Sequence, residues 1–474
     1  MSDEPGGTNI EGDAPVVETV VETDSATITD DSELERTLGL TGGLAIGIGT
    51  MIGAGIFVFP GLAGAAVGTA ATASFAVGGV VALLVALPAS ELATAMPKSG
   101  GGYYFISRGL GTLAGTVVGL SLWLGLVFAT AFYLVGLGFY ALDALSIVGI
   151  SVGADPGVLV SVIAVLSGIG FTVVNLTGTE NAARIQNAIV VLLLSMLVAF
   201  LVFGLLDVAG FVGDESTGGT EADRWTVFPI LSTAALVFTS YLGFAQIATV
   251  AGEMKRPGRN LPLAMIGSVL VVTVMYVLTI LVATNVFDRT QLGQLGETAM
   301  VEIGRELLGV GGAFVIVVGG LLATMSSANA SILSTSRAIY GVSKDALLPR
   351  WASRIDLRYG TPSVALGMAG GPIIVLAATR QVQLLAEVAS FLHLVLYGLI
   401  CVSLVAIRRD APEWYDPDFR VPGGPTIPVL GAIASFGLIA FMDPASIGVG
   451  LFVIVGSAGW YLYYARDVTL KGVL

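Results

Sequence analysis

Twelve apolar runs, most near twenty residues, divide this chain. They cover roughly 39–62, 68–94, 112–142, 157–177, 184–206, 227–251, 261–284, 311–340, 362–379, 383–407, 426–442 and 446–464. About 20 apolar residues in a helix cross a hydrocarbon core of about 30 Å. The third and eighth runs are long enough to cross at a tilt. The chain is 55% hydrophobic and 12% charged, where a soluble domain carries about 25% charged residues. These features predict an all-α integral membrane protein of 12 transmembrane helices. Alternating strand segments of the kind that build a membrane barrel are absent. One cysteine, Cys401, and one histidine, His393, exclude an intramolecular disulfide and any site made of several Cys or His. No phosphate-binding P-loop motif is present. Neither cofactor nor nucleic acid is expected; the lipid bilayer is the expected surround.

Residues 1–35 hold eleven acidic residues and no Lys or Arg. Such a segment buries too little apolar surface to fold, and a disordered cytoplasmic tail is expected. It has no basic n-region and no apolar h-region, so it does not read as a signal peptide. If the N-terminus lies inside and the runs alternate, seventeen of the 21 Lys and Arg fall on the inner side and four, Arg224, Arg289, Arg305 and Arg380, on the outer. That asymmetry predicts cytoplasmic termini in the plasma membrane.

The first run contains GIGTMIGAGIF, residues 47–57, with Gly47, Gly49, Gly53 and Gly55. Glycine costs about 1 kcal/mol relative to alanine inside a helix. Two readings follow. Gly49-x-x-x-Gly53 is a small-xxx-small motif that lets helices pack closely. Alternatively the helix opens near Thr50 to Gly55, offering N–H groups to a carboxylate and carbonyls to an ammonium group or a small cation. The sixth run has its own interruption at Ser240-Tyr241-Leu242-Gly243-Phe244. Two broken segments at matching positions of two inverted halves point to a transport site. The implied division is 1–35, tail; 36–210, helices 1–5; 211–410, helices 6–10; and 411–474, helices 11–12.

Five stretches, in order, resemble the amino acid–polyamine–organocation permeases: GTMIGAGIFVFPG (49–61), SELATAMPKSGGGYYF (90–105), FTSYLGFAQIATVAGEMKRPGRNLP (238–262), SSANASILSTSRAIYGVSKDALLP (326–349) and FRVPGGPTIPVLG (419–431). The resemblance implies a leucine-transporter-like five-plus-five inverted repeat with helices 1 and 6 broken. It places a substrate carboxylate on N–H groups of Thr50, Ile52, Gly53, Ala54 and Gly55. It places the amino group on carbonyls around Phe238, Thr239 and Tyr241, with Phe238 as an aromatic lid. Sodium-driven relatives imply an ion site at Gly49, Ile52, Ser326 and Ser327; hydroxyls and carbonyls suit a hard cation, although mid-helix serines also bond back to their own helix. Some proton-coupled relatives carry a lysine on helix 5, where Leu193 stands here. The coupling ion, Na+ or H+, stays open.

Ionisable residues inside the runs are functional candidates. Glu91, Glu253 and Arg337 sit near the expected inner ends and are candidates for a gate of opposite charges, against the alternative of a solvated headgroup position. His393 reads as a hydrogen-bonded packing residue before a proton carrier. Glu387 is expected to be wet. The middles of runs one, three, six and eight carry no Asp, Glu, Lys or Arg, which favours a neutral substrate side chain. The expected function is secondary active transport of α-amino acids by alternating access. Alternatives are a polyamine or organic-cation permease, an amino acid exchanger, and a sensor that binds an amino acid without carrying it. An enzyme is not expected.

Overall fold

The computed structural model describes residues 36, 38–97, 100–150, 153–177, 182–211, 225–356, 361–468 and 470. The acidic tail, residues 1–35, lies outside the described residues. The first apolar run becomes two helices, α1 (Leu40–Met51) and α2 (Ala54–Val67), and the second becomes α3 (Ala71–Ala95). Then follow a short α4 (Gly101–Leu110), α5 (Thr112–Ile147), α6 (Pro156–Thr177) and α7 (Ala182–Val208). The sixth run is α8 (Val227–Val237), a 3-10 turn (Phe238–Tyr241) and α9 (Phe244–Thr249). The chain continues with α10 (Pro257–Val286), α11 (Arg289–Leu295), α12 (Ala299–Lys344), α13 (Ser363–Ala377), α14 (Val382–Asp410), α15 (Thr426–Ile439) and α16 (Pro444–Trp460). α12 is kinked at Leu308 and Gly309, where Gly309 takes φ +64°. The eighth apolar run begins just past that kink. No strand forms among the described residues beyond a single parallel bridge from Leu38 to Met254.

Nine helical stretches among the described residues are long and apolar enough to cross a membrane, and three shorter apolar helices, α1, α13 and α15, accompany them. α5 and α14 are the most enclosed; α6 and α16 present most of their surface outward. On α6 the outward residues are Val158, Val162, Leu166, Ile169 and Val173. Water would penalise that surface, and lipid does not, so the same residues that forbid a soluble fold make a stable lipid-facing helix.

Between helices already surrounded by apolar chains, burial of more apolar surface drives little, and close van der Waals approach takes over. The α5–α6 crossing shows this. A Cβ on Gly138 would lie 2.7 Å from the Val160 carbonyl oxygen, a contact with rigid backbone. At the α5–α12 crossing, the space beside Gly320 is filled by the Tyr140 ring. Tyr140 in turn donates its hydroxyl to the Phe57 carbonyl of α2 at 2.8 Å.

Gly138→Leu is therefore expected to destabilise the protein by about 1–3 kcal/mol through overpacking, read as a lower thermal unfolding midpoint in detergent. Gly170→Leu, at a position with open space around it, should leave that midpoint within error.

Candidate functional site

The first helix opens at two residues. α1 stops at Met51, Ile52 adopts φ −76° and ψ 80°, Gly53 adopts φ −122° and ψ −145°, and α2 starts at Ala54. The Ile52 N–H donates to the Ile48 carbonyl at 2.8 Å and the Gly53 N–H to the Met51 carbonyl at 2.9 Å. Thr50 lies within the last turn of α1. No side chain caps α2. Its first-turn N–H groups, those of Ala54 and Gly55 included, are the ones a helix leaves without an intrahelical acceptor. They lie at the positive end of a 14-residue helix. Met51 to Gly55 are buried, and Thr50 is half-buried.

The second opening faces the first. After α8, residues Phe238–Tyr241 tighten to a 3-10 turn, and Leu242 and Gly243 lead into α9. The two openings cross at Gly243, where a side chain would collide with Thr50 and the Met51 backbone. Thr50 Oγ1 lies 3.2 Å from the Gly243 carbonyl and 2.6 Å from that of Ile46. Tyr276, from α10, bridges both openings: its hydroxyl is 2.6 Å from the Met51 carbonyl and 3.3 Å from that of Ser240. Tyr397, from α14, donates to the Leu242 carbonyl at 2.9 Å. Tyr241 donates to the Phe75 carbonyl of α3 at 2.8 Å. Each hydroxyl supplies a donor to a buried carbonyl.

Phe238 is fully buried and meets Tyr397 edge-on, with ring centroids 6.0 Å apart. Three hydroxyls near the openings, on Thr239, Ser240 and Ser327, are buried without a hydrogen-bond partner among the described residues. Two of them abut the α2 start: a side chain at Gly53 would strike the Ser327 hydroxyl, and one at Gly55 that of Ser240. Buried hydroxyls without partners cost free energy and mark a place where another polar group can be received. Ser326, on the same turn of α12, is also buried. Gly49 packs against Val190 of α7, and Leu193 is buried further along that helix. The structure thus brings Ile52, Gly53, Ala54, Gly55, Phe238, Thr239, Tyr241 and Ser327 around one buried crossing. Gly49 lies a turn away, toward α7.

The charged candidates are distributed differently. Glu91 pairs with Arg408 of α14, whose Nε lies 2.8 Å from Oε1. Arg337 is exposed on α12, and Glu253 is half-buried after α9. No ion pair joins either to Glu91 or to the other among the described residues. Glu387, expected to be wet, is buried; it accepts from Gln383 at 2.9 Å and from the Asp443 N–H at 3.1 Å. The α16 N-cap folds over it and supplies the donor that water would otherwise give. His393 Nδ1 lies 2.8 Å from the Ala389 carbonyl. A carbonyl only accepts, so Nδ1 carries the proton.

Tyr276, Tyr397, Arg408 and Tyr415 were not singled out by sequence. A tyrosine inside an apolar run is a weak signal, because its polar tip needs a partner there but the partner is unnamed.

These features can be set beside known proteins. The family model described as Amino acid permease matches residues 38–468. The chain belongs to the amino acid permease family. It is a membrane transporter of the amino acid–polyamine–organocation superfamily. The permease is 27% identical over 466 residues to a branched-chain amino acid permease of Bacillus subtilis, covering 94% of this chain and 97% of that one. It is 26% identical to a serine/threonine exchanger of the same organism, covering 92% and 98%. A branched-chain amino acid permease of Lactococcus lactis is 27% identical, covering 89% and 93%.

Removing the hydroxyl that bridges the openings should loosen both. Tyr276→Phe removes one of two donors to the Met51 carbonyl, the Gly53 N–H remaining, a loss of about 0.5–1.5 kcal/mol. Amino acid binding to the purified permease should weaken by about two- to tenfold, measured by equilibrium binding, while the protein still elutes as a folded species. Wild-type affinity in Tyr276→Phe would show that the hydroxyl does not position the site.

Proposed function

We propose that this permease is a secondary active transporter of neutral α-amino acids in the plasma membrane, working by alternating access. The observation that carries the reading is the buried crossing of two helix openings. One supplies uncapped N–H groups at the start of α2, suited to a carboxylate. The other supplies the carbonyls of the Phe238–Tyr241 turn, suited to an ammonium group. The hydroxyls of Thr239, Ser240 and Ser327, buried without partners, add acceptors and donors to the same volume. The substrate carboxylate rests against N–H groups between Thr50 and Gly55, chiefly Ala54 and Gly55 in this conformation, because those of Ile52 and Gly53 are engaged in the backbone. The amino group meets Phe238, Thr239 and Tyr241, and the Phe238 ring covers them.

A neutral side chain is supported by the lack of acidic or basic residues in the middles of the surrounding apolar runs. The names of the relatives, branched-chain permease and serine/threonine exchanger, point the same way. The twelve runs then form twelve transmembrane helices, ten of them in two inverted sets of five, with the basic loops and both termini in the cytoplasm. Glu91, Glu253 and Arg337 lie toward that cytoplasmic side. Sodium as a co-transported ion would take oxygens of Ile52, Ser326 and Ser327, with Gly49 adjoining. The Ser327 hydroxyl beside Gly53 fits a hard cation's need for oxygen. Proton coupling is the other arm, and with Leu193 on α7 it does not run through a lysine there. Exchange is a second mode, favoured by the similarity to the serine/threonine exchanger.

Purified permease in proteoliposomes should accumulate labelled leucine or serine under an imposed sodium or proton gradient, or exchange them when preloaded. No uptake or exchange of any amino acid overturns the reading. Gly53→Leu should abolish binding in a folded, inserted protein, because its side chain would occupy the space beside Ser327. If sodium drives uptake, Ser326→Ala with Ser327→Ala should remove the sodium dependence; a wild type indifferent to sodium excludes that arm.

A further inference from the structure

The carboxylate of Glu91 is wholly buried near the C-terminal end of α3, and both of its oxygens are saturated. Oε1 accepts from Arg408 Nε at 2.8 Å and from the Tyr415 hydroxyl. Oε2 accepts from a second Arg408 nitrogen and from the Val421 N–H at 2.6 Å. Arg408 also donates to the carbonyls of Gly424 and Val421. Each of these donors lies in the last turns of α14 or in the strap, residues 411–425, that joins α14 to α15. The Tyr415 hydroxyl stays protonated: burial first, and then the carboxylate beside it, push its pKa up to about 12.

The strap holds more than Glu91. One turn along α3, Thr94 Oγ1 accepts from the Phe419 N–H at 3.3 Å. Asp418 fills the space left by the missing side chain of Gly258, at the first turn of α10. Gly423 and Gly424, at φ +78° and +62°, turn the strap back toward Arg408. The Glu91 cluster therefore joins the ends of α3 and α14, the exposed Asp418 of the same strap packs against the start of α10, and α10 runs against α3, where the Ser90 hydroxyl lies 3.6 Å from the Met265 sulfur.

Among the described residues, two other contacts on the face of these helix ends rest on single hydrogen bonds. α9 and α12 meet through the Ser334 hydroxyl and Gln246 Oε1 at 3.2 Å. α4 meets the end of α12 through the Tyr103 hydroxyl and Asp345 at 2.6 Å. A single hydrogen bond exchanges with water more readily, whereas opening the Glu91 cluster strips a buried charge of several donors at once.

We propose that the Glu91–Arg408–strap cluster is a pin that stays closed throughout transport. It makes the ends of α3, α10 and α14 move as one piece, and the seam that opens on this face runs between α9 and α12. This rests on the transport reading above. α10 carries Tyr276, which bonds both helix openings, so a pinned α10 couples movement of this end directly to the site.

The test uses two cysteine pairs in a Cys401→Ser background: Thr94→Cys with Phe419→Cys across the pin, and Gln246→Cys with Ser334→Cys across the seam. Each is closed by a short bismaleimide, and the seam pair also by oxidation. The pinned protein should keep leucine or serine uptake within about twofold, while the closed seam should lower it by more than about tenfold, with recovery on reduction where the seam was closed by oxidation to the disulfide. Loss of uptake on cross-linking the pin, with binding retained, overturns the proposal. A separate readout does not need transport: cross-linking across the pin should proceed to the same yield with and without saturating leucine. A yield that changes with leucine also overturns it. Absence of uptake by the unlinked wild type counts against the transport reading, and the yield comparison still judges the pin.

Discussion

Backbone that leaves its helix inside an apolar shell must find other partners, and much of this structure follows from that requirement. Water is not at hand to take up the freed N–H and C=O groups, and each one left alone costs several times the worth of an ordinary hydrogen bond. Two openings in a buried crossing would be untenable without local donors. Tyr276 and Tyr397 provide them to the Met51 and Leu242 carbonyls, and the Gln246 N–H provides one to the Gly243 carbonyl. What remains uncommitted is small: the first-turn N–H groups of α2 and a few hydroxyls. That remainder is what a zwitterionic ligand can use.

The same requirement explains a division of labour around the crossing. The tyrosine hydroxyls that hold the openings in place come from the long neighbouring helices α10 and α14. Groups offered outward come from the openings themselves. Under the proposed function, a site made of backbone would recognise what all α-amino acids share, and the choice among them would fall to the apolar and aromatic wall that includes Phe238 and Tyr241. The charged cluster at Glu91 stands apart from this wall. Its donors come from the end of α14 and from the strap beyond it, and the same strap packs against the start of α10.

Much of the fold was legible in the sequence because lipid imposes one simple rule on helices: each needs about twenty apolar residues. The apolar runs fall on helices, nine stretches of them long enough to cross a membrane among the described residues, and the two interruptions coincide with α1–α2 and α8–α9. The position of the first opening was legible to within two residues, since glycines at 53 and 55 permit what other residues resist. Less legible was which N–H groups stay free. Ile52 and Gly53 each carry a backbone N–H that the sequence cannot assign, and the turn geometry commits both to nearby carbonyls. The charged residues misled in a different way. Glu91 stands close in sequence pattern to an interfacial gate with Arg337, yet its partner is Arg408, 317 residues away. Glu387 looked wet, and the α16 N-cap buries it. In both cases the deciding donor arrives from a distant segment.

By itself, the sequence determined that this chain is a bundle rich in membrane-length helices and that its first and sixth runs are interrupted. Hydropathy, glycine spacing and charge count are local quantities, so they can be read along the chain. The tertiary structure alone decided that the two interruptions cross each other, that Tyr276 bridges them, and that a strap beyond α14 locks Glu91. Those outcomes depend on which helices pack together, and packing is set by shape and by the need of each buried polar group for a partner. Neither is written in any single stretch of residues.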